Sequence, residues 1–228
     1  MLLNLQNISK SYGSAEDGNL RNVLDGLSLQ VKEGESVALV GPSGSGKTTL
    51  LNLAGALDHP DSGSVIFKGQ DIAGLRGKEL DAFRNSEIGF VFQFHHLLPQ
   101  CTVLENVLIP TLVNTTKAER QQKKEEAEDL LQKVGIWEHR DKLPGKMSGG
   151  ECQRAAVVRA MINQPSLLLA DEPTGALDNK NVESMADLLL TLNKDQGLTL
   201  LVVTHSEKLA ARMNTVYHLN EGKLSPNS

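Results

Sequence analysis

Aromatic residues are scarce in this chain: five Phe, two Tyr and one Trp among 228 residues, 4% in all. The core is therefore expected to be aliphatic, built from Leu, Val, Ile and Ala. Cysteine is scarcer still. Cys101 and Cys152 lie far apart and form no CxxC pair, which excludes a disulfide scaffold or a zinc knuckle and fits two reduced thiols in a cytoplasmic protein. No apolar run approaches the roughly 18–20 residues of a membrane-spanning helix; the longest, LLNLAGAL at 50–57 and LTLLVV at 198–203, have the length of a buried helix and a buried strand. Basic residues are in deficit, 23 against 28 acidic, for a net charge of −5. That speaks against a general nucleic-acid binder, which carries a basic excess. MLLNLQNISK lacks the basic start and apolar block of a signal peptide. Work at a membrane would run through a partner.

What is present alternates between two periods. Residues 2–12 and 23–33 carry short stretches of alternating apolar residues, as strands of an antiparallel sheet do. SVALV at 36–40 is continuously apolar, the mark of a buried parallel strand. A glycine-rich loop follows, then a helix expected from about Lys47 to Leu57, and a hairpin-like pair over 62–72. GFVFQ at 89–93 reads as another buried strand. Helix is expected over 102–113 and over 117–134, where Ala127, Leu130, Leu131 and Val134 form one apolar stripe. Alternation returns with a strand at 166–170, a helix near 180–195, a strand at 199–203 and a terminal hairpin over 216–224 turning at Glu221-Gly222; the tail SPNS is expected to be loose. The pattern is an α/β chain: a core over 1–93 and 164–228, interrupted by a helical unit over 94–163.

GPSGSGKT at 41–48 fits G-x-x-x-x-G-K-[ST] in full. Gly41, Gly44 and Gly46 let backbone wrap a phosphate, Lys47 reaches the β- and γ-phosphates, and the Thr48 hydroxyl can ligate Mg²⁺. LLLADE at 167–172 supplies its partner: Asp171 ends an apolar strand and can hold Mg²⁺, and Glu172 can polarise a water. Gln93 and His205 each close an apolar strand, at the edge where open α/β sheets bind ligands. MSGGECQR at 147–154 opens a second helix with a Ser-Gly-Gly turn, a second anion cradle on one chain. His95 and His96 have no further His or Cys at ligand spacing, and in extended backbone they point to opposite faces; they are not read as metal ligands.

In this order, GPSGSGKT, Gln93, MSGGECQR, LLLADEP, Ala176-Leu177-Asp178 and His205 resemble the ATP-binding subunit of an ABC transporter over essentially the whole chain. The resemblance implies a P-loop NTPase core with an N-terminal antiparallel β subdomain and an inserted α-helical subdomain. It implies ATP held by Tyr12, stacked on adenine, and by Gly41, Pro42, Ser43, Gly44, Ser45, Gly46, Lys47, Thr48 and Thr49, with Mg²⁺ on Thr48, Gln93 and Asp171. Glu172, His205 and Gln93 become the catalytic set. Ser148, Gly149, Gly150, Glu151 and Asp178 would face a second nucleotide across a head-to-tail homodimer. The family signature usually reads Leu-Ser-Gly-Gly-Gln; here Met147 and Glu151 stand at its two ends.

FQFHHLLPQCTVLENVLIP at 92–110 is similar to the ATPase subunit of the bacterial lipoprotein-releasing system, within a group that includes macrolide and peptide exporters and the cell-division ABC ATPase. That implies a peripheral protein on the cytoplasmic face of the inner membrane, acting on permease subunits and on no nucleic acid. A soluble ABC ATPase of DNA repair or translation is the distant alternative, and this chain lacks the long coiled coil or second cassette usual there. Phe94, Leu97 and Leu98 either dock the permease or pack under the helical unit; both readings stand at this point.

Overall fold

The structure, a computed structural model, describes residues 1–13, 19–113 and 116–226. Strands β1 (Leu3–Tyr12) and β2 (Arg21–Val31) pair antiparallel, and β4 (Ser62–Phe67) and β5 (Gln70–Asp71) complete a four-stranded sheet in the order β2-β1-β4-β5. A six-stranded sheet runs β10-β9-β3-β8-β7-β6. In it β3 (Ser36–Val40), β6 (Ile88–Val91), β7 (Leu167–Asp171), β8 (Thr199–Val203) and β9 (Thr215–Asn220) are parallel, and only β10 (Lys223–Pro226) turns back.

Continuous apolar strands need cover on both faces, and here they have it. Val37, Leu39, Leu167, Leu169, Leu201 and Val203 pack toward α1 (Lys47–Ala54) and the antiparallel sheet. Their neighbours Ala38, Leu168, Ala170, Leu200 and Val202 pack the other way, against α3 (Val103–Leu108), α4 (Lys117–Lys133), α5 (Gly149–Met161) and α6 (Asn179–Gln196). Period-two alternation along each strand thus makes two aliphatic cores from one sheet.

The departures from expectation have local causes. The first helix stops at Ala54 rather than Leu57, because Ala56 takes a left-handed φ of 53° and Leu57 N–H turns back to the Asn52 carbonyl at 2.8 Å. The helix expected over 102–113 is α3 followed by a 3₁₀ turn at Ile109–Thr111, since Pro110 cannot donate to a continuing helix. Helix α2 (Gly77–Glu87) has no counterpart in the sequence reading; none of its residues is fully buried, and only Leu80 and Phe83 lean on the core. Ser225 and Pro226, expected loose, pair with His218 and Tyr217 in β10; the last two residues lie outside the described ones. The short α7 (Glu207–Ala210) follows β8. Among the described residues no helix is long and apolar enough to cross a membrane.

Candidate functional site

The C-terminal ends of β3, β7 and β8 converge on one edge of the parallel sheet, where the phosphate loop turns from β3 into α1. Gly46 is the N-cap of α1 at φ 104°, with no side-chain cap, so the first-turn amides stand open to an anion. A Cβ there would lie 2.9 Å from Leu24 Cδ2 and 3.0 Å from the Val23 carbonyl; one on Gly41 would meet the Leu219 carbonyl at 2.1 Å. Both positions therefore need glycine. Lys47 is 6% exposed and donates to the carbonyls of Gly41 and Pro42 at 2.9 and 3.0 Å. Burial holds its ammonium below the ordinary lysine value, against the pull of Glu172 and Asp171. The Ser45 hydroxyl is buried with no hydrogen-bond partner. An under-solvated cation and an orphaned hydroxyl in an amide-lined loop fit a bound polyphosphate.

Thr48 Oγ1 donates to Asp171 Oδ2 at 2.9 Å. Two hard oxygen donors side by side at the loop's mouth fit Mg²⁺, which is held by one or two protein oxygens plus substrate phosphates rather than by a protein cage. In keeping with that, no group of three or more His, Cys, Asp or Glu forms a cage among the described residues.

Glu172 takes a left-handed φ of 47°, a conformation that costs a non-glycine residue about 1–3 kcal/mol. Its N–H bonds the Val203 carbonyl at 2.9 Å and its carbonyl accepts from Gly175 N–H at 2.9 Å, which over-determines the strained turn. Oε2 accepts the His205 N–H at 3.0 Å. Oε1 is buried without a hydrogen bond, although His205 Nε2 stands 3.3 Å away at ion-pair range. One carboxylate oxygen is thus anchored and the other left to accept a proton. Gln93 lies beside Gly175, where an added Cβ would come within 3.0 Å of its Nε2. The phosphate loop, Asp171, Glu172, Gln93 and His205 all sit on strand ends or turns at this one edge.

The second cradle lies elsewhere. Ser148 caps α5, accepting from Glu151 N–H at 3.3 Å, while Glu151 Oε2 accepts the Ser148 N–H at 2.8 Å. This reciprocal pair was legible as Ser-x-x-Glu, and it holds the Glu151 carboxyl below its ordinary value, chiefly through the Ser148 N–H bond. Glu151 Oε1 faces His139 Nδ1 at 3.4 Å. Asp178 caps α6 through Asn181, whose side chain lies 3.0 Å from where a Cβ on Gly150 would be. Ser148, Gly149 and Asp178 are exposed.

The 92–98 loop is tied to α5 from beneath. Gln153, 2% exposed, donates to the Phe92 carbonyl at 2.8 Å, and Arg159 donates to the carbonyls of His95 and His96 at 2.8 and 2.7 Å. His96 takes φ 47°, so the His pair is not extended as expected. The three apolar residues divide: Leu97 is 6% exposed and belongs to the core, whereas Phe94 and Leu98 are 67% and 42% exposed. Leu97 is therefore a packing residue, not a docking one.

Three neighbours of the site were not read from the sequence. Tyr12 pairs with Arg21 across β1–β2, and Arg21 donates to the Gly44 carbonyl at 3.2 Å. The Tyr12 hydroxyl donates to Asp58 at 2.7 Å, and Lys10 lies against the Tyr12 ring. The Arg21–Gly44 and Tyr12–Asp58 contacts join residues 23 and 46 positions apart, which no local spacing announces.

Residues 24–175 match the ABC transporter family. This chain belongs to the ABC transporter family. As one of its ATP-binding subunits it is an ATPase. It is 48% identical over 223 residues to the lipoprotein-releasing system ATP-binding protein LolD of Geobacter metallireducens, covering 98% of this chain and 97% of that one. Against LolD of Syntrophus aciditrophicus the identity is 45%, over 98% of both. Among solved structures, the ABC ATPase superposes at TM-score 0.87 and 36% identity on an ATP-binding cassette dimer described as a post-hydrolysis state bound to ADP and Pi, covering 100% of this chain and 98% of that one. The expected P-loop α/β fold with its antiparallel β part is the fold of this ABC ATPase.

Proposed function

We propose that this ATPase powers release of lipoproteins from the bacterial inner membrane, seated on its cytoplasmic face beneath a permease. The observation that carries the reading is likeness to LolD proteins along almost the entire length of both chains. Likeness confined to the P-loop and signature would have left the exporters and the cell-division group equally favoured.

In this reading Tyr12 stacks on adenine, and the backbone and side chains from Gly41 to Thr49 hold the phosphates. Lys47 leaves the Gly41 and Pro42 carbonyls for phosphate oxygens, exchanging neutral acceptors for charged ones. Thr48, Asp171 and Gln93 hold Mg²⁺, which when bound neutralises charge building on the β- and γ-phosphates. Glu172 Oε1 takes the proton of the attacking water, while the His205 N–H fixes Oε2 and the imidazole faces the γ-phosphate. Ser148, Gly149 and Gly150, with Glu151 as the cap and Asp178 beside them, complete the site of a second copy in a head-to-tail homodimer. Each γ-phosphate then lies between two positive helix ends, and its loss on hydrolysis loosens the dimer.

A groove of about 930 Å³ is lined by Arg84, Phe90, Phe92, Val113 and Asn163 among others, and together with the exposed Phe94 and Leu98 it is the permease's seat in this reading. The test is proteoliposomes holding this chain, its co-purified permease and a lipid-anchored protein. ATP addition should release the lipoprotein from the vesicles; hydrolysis with the lipoprotein retained would contradict the reading. Phe94→Asp should abolish recovery of the permease while leaving the isolated subunit folded. Leu97→Asp, which buries a charge in the core, should cost several kcal/mol of stability instead.

A further inference from the structure

The phosphate loop and Tyr12 come from different sheets, yet one helix connects them. α1 begins at Lys47, and three residues beyond its C-cap Gly55 comes Asp58, whose N–H and that of Leu57 both turn back to the Asn52 carbonyl, at 3.4 and 2.8 Å. Asp58 Oδ2 accepts the Tyr12 hydroxyl at 2.7 Å. Its Oδ1 accepts Lys10 Nζ at 2.9 Å and the His59 N–H at 2.7 Å. Lys10 also donates to the His59 carbonyl at 2.8 Å, and its ammonium sits 5.1 Å from the centre of the Tyr12 ring.

We propose that Asp58 is a positioning residue for nucleotide-base binding: it locks the Tyr12 ring at a fixed place relative to the phosphate loop. The inference rests on the reading that Tyr12 stacks on the base. An exposed tyrosine at a strand end turns freely about its side-chain bonds. A hydrogen bond to a charged acceptor removes that freedom before the nucleotide arrives, so the ordering cost is not charged to binding. Lys10 occupies one side of the ring and leaves the opposite side for the base. Burial and then the Asp58 bond hold the Tyr12 phenol above its ordinary value. Burial opposes ionisation of Asp58, but the bonds from Tyr12, Lys10 and the His59 N–H outweigh it and keep the carboxyl below its usual range. The acceptor therefore stays an anion at neutral pH. The ruler between base and triphosphate is α1 itself.

The test is calorimetric titration of the purified full chain with two probes, AMP-PNP and inorganic tripolyphosphate, which lacks a base. Asp58→Asn and Tyr12→Phe should each weaken AMP-PNP roughly 2- to 10-fold, the scale of one immobilised side chain. Tripolyphosphate binding should not change, and in steady-state hydrolysis KM for ATP should rise with kcat kept. Because Tyr12→Phe removes the donor of this bond and Asp58→Asn removes the charge of its acceptor, the double variant should bind no more weakly than Tyr12→Phe alone. Wild-type AMP-PNP affinity in both single variants overturns the inference, as does a double variant that loses the product of the two effects, or a parallel loss for tripolyphosphate. Should Asp58→Asn not fold, Tyr12→Phe still reports on the bond. Tyr12→Ala separates the two readings. If it weakens AMP-PNP while Asp58→Asn and Tyr12→Phe do not, stacking stands and positioning falls; if it leaves AMP-PNP unchanged, both fall.

Discussion

The two glycine-rich helix starts of this chain, at Gly46 and at Ser148, treat their own amides differently. α1 has no side-chain cap, a left-handed N-cap glycine, a desolvated lysine and an orphaned serine hydroxyl. α5 closes on itself: Ser148 and Glu151 each satisfy the other's N–H, and the tip of the turn stands exposed. The first cradle is incomplete without an anion; the second is stable alone and has spare amides to offer. This is the division expected if one loop binds the nucleotide and the other only closes over a nucleotide already bound. The side chains proposed to be catalytic agree with it. Asp171, Glu172 and His205 gather at the first cradle, whereas at the second the carboxylates of Glu151 and Asp178 are engaged in capping bonds, apart from the His139-facing oxygen of Glu151.

The comparison breaks most visibly at Glu172. Glu172→Gln should slow ATP hydrolysis roughly 10²–10⁴-fold while ATP still binds; single-turnover hydrolysis near the wild-type rate would move the chemistry away from the first cradle. Lys47→Ala comes next. It removes a buried cation and should weaken ATP binding by about 100-fold, on the scale of one or two charge-assisted hydrogen bonds. Equilibrium binding of ATP within a few-fold of wild type would contradict the assignment of Lys47.

Ser148→Ala should act in the opposite sense. It deletes a helix cap, so α5 should lose about 1 kcal/mol, read as a lower melting temperature. ATP binding to the isolated subunit should stay unchanged while hydrolysis falls. Glu151→Gln is the mildest, because an amide oxygen still accepts the Ser148 N–H. Stability should move by less than about 0.5 kcal/mol, and a larger loss would mean that the charge facing His139, not the cap, holds the turn.

The sequence carried both cradles because each depends on residues adjacent in the chain: Gly46-Lys47-Thr48 in one, Ser148 to Glu151 in the other. It carried the parallel strands because an unbroken apolar run such as 199–203 has few other uses. Helix α2 was not legible because a surface helix with only Leu80 and Phe83 turned inward presents no apolar stripe. The left-handed backbone of Glu172 and His96 had no local sign either, since neither is a residue that prefers it. The 94–98 loop was half legible. Its apolar residues announced a purpose, but only the fold divides Leu97, buried, from Phe94 and Leu98, exposed. The Tyr12–Asp58 contact spans 46 positions and depends on how two sheets meet.

The measurement that bears most directly on the two-cradle division mixes two inactive subunits, Lys47→Ala and Ser148→Arg, and follows ATP hydrolysis. In a mixed dimer one site pairs the intact phosphate loop of the Ser148→Arg chain with the intact Ser-Gly-Gly turn of the Lys47→Ala chain, and the other site pairs both defects. If the second cradle serves the partner's nucleotide, mixing restores part of the activity that neither subunit has alone. If it serves its own chain's nucleotide, every site stays defective and the mixture remains as inactive as its components.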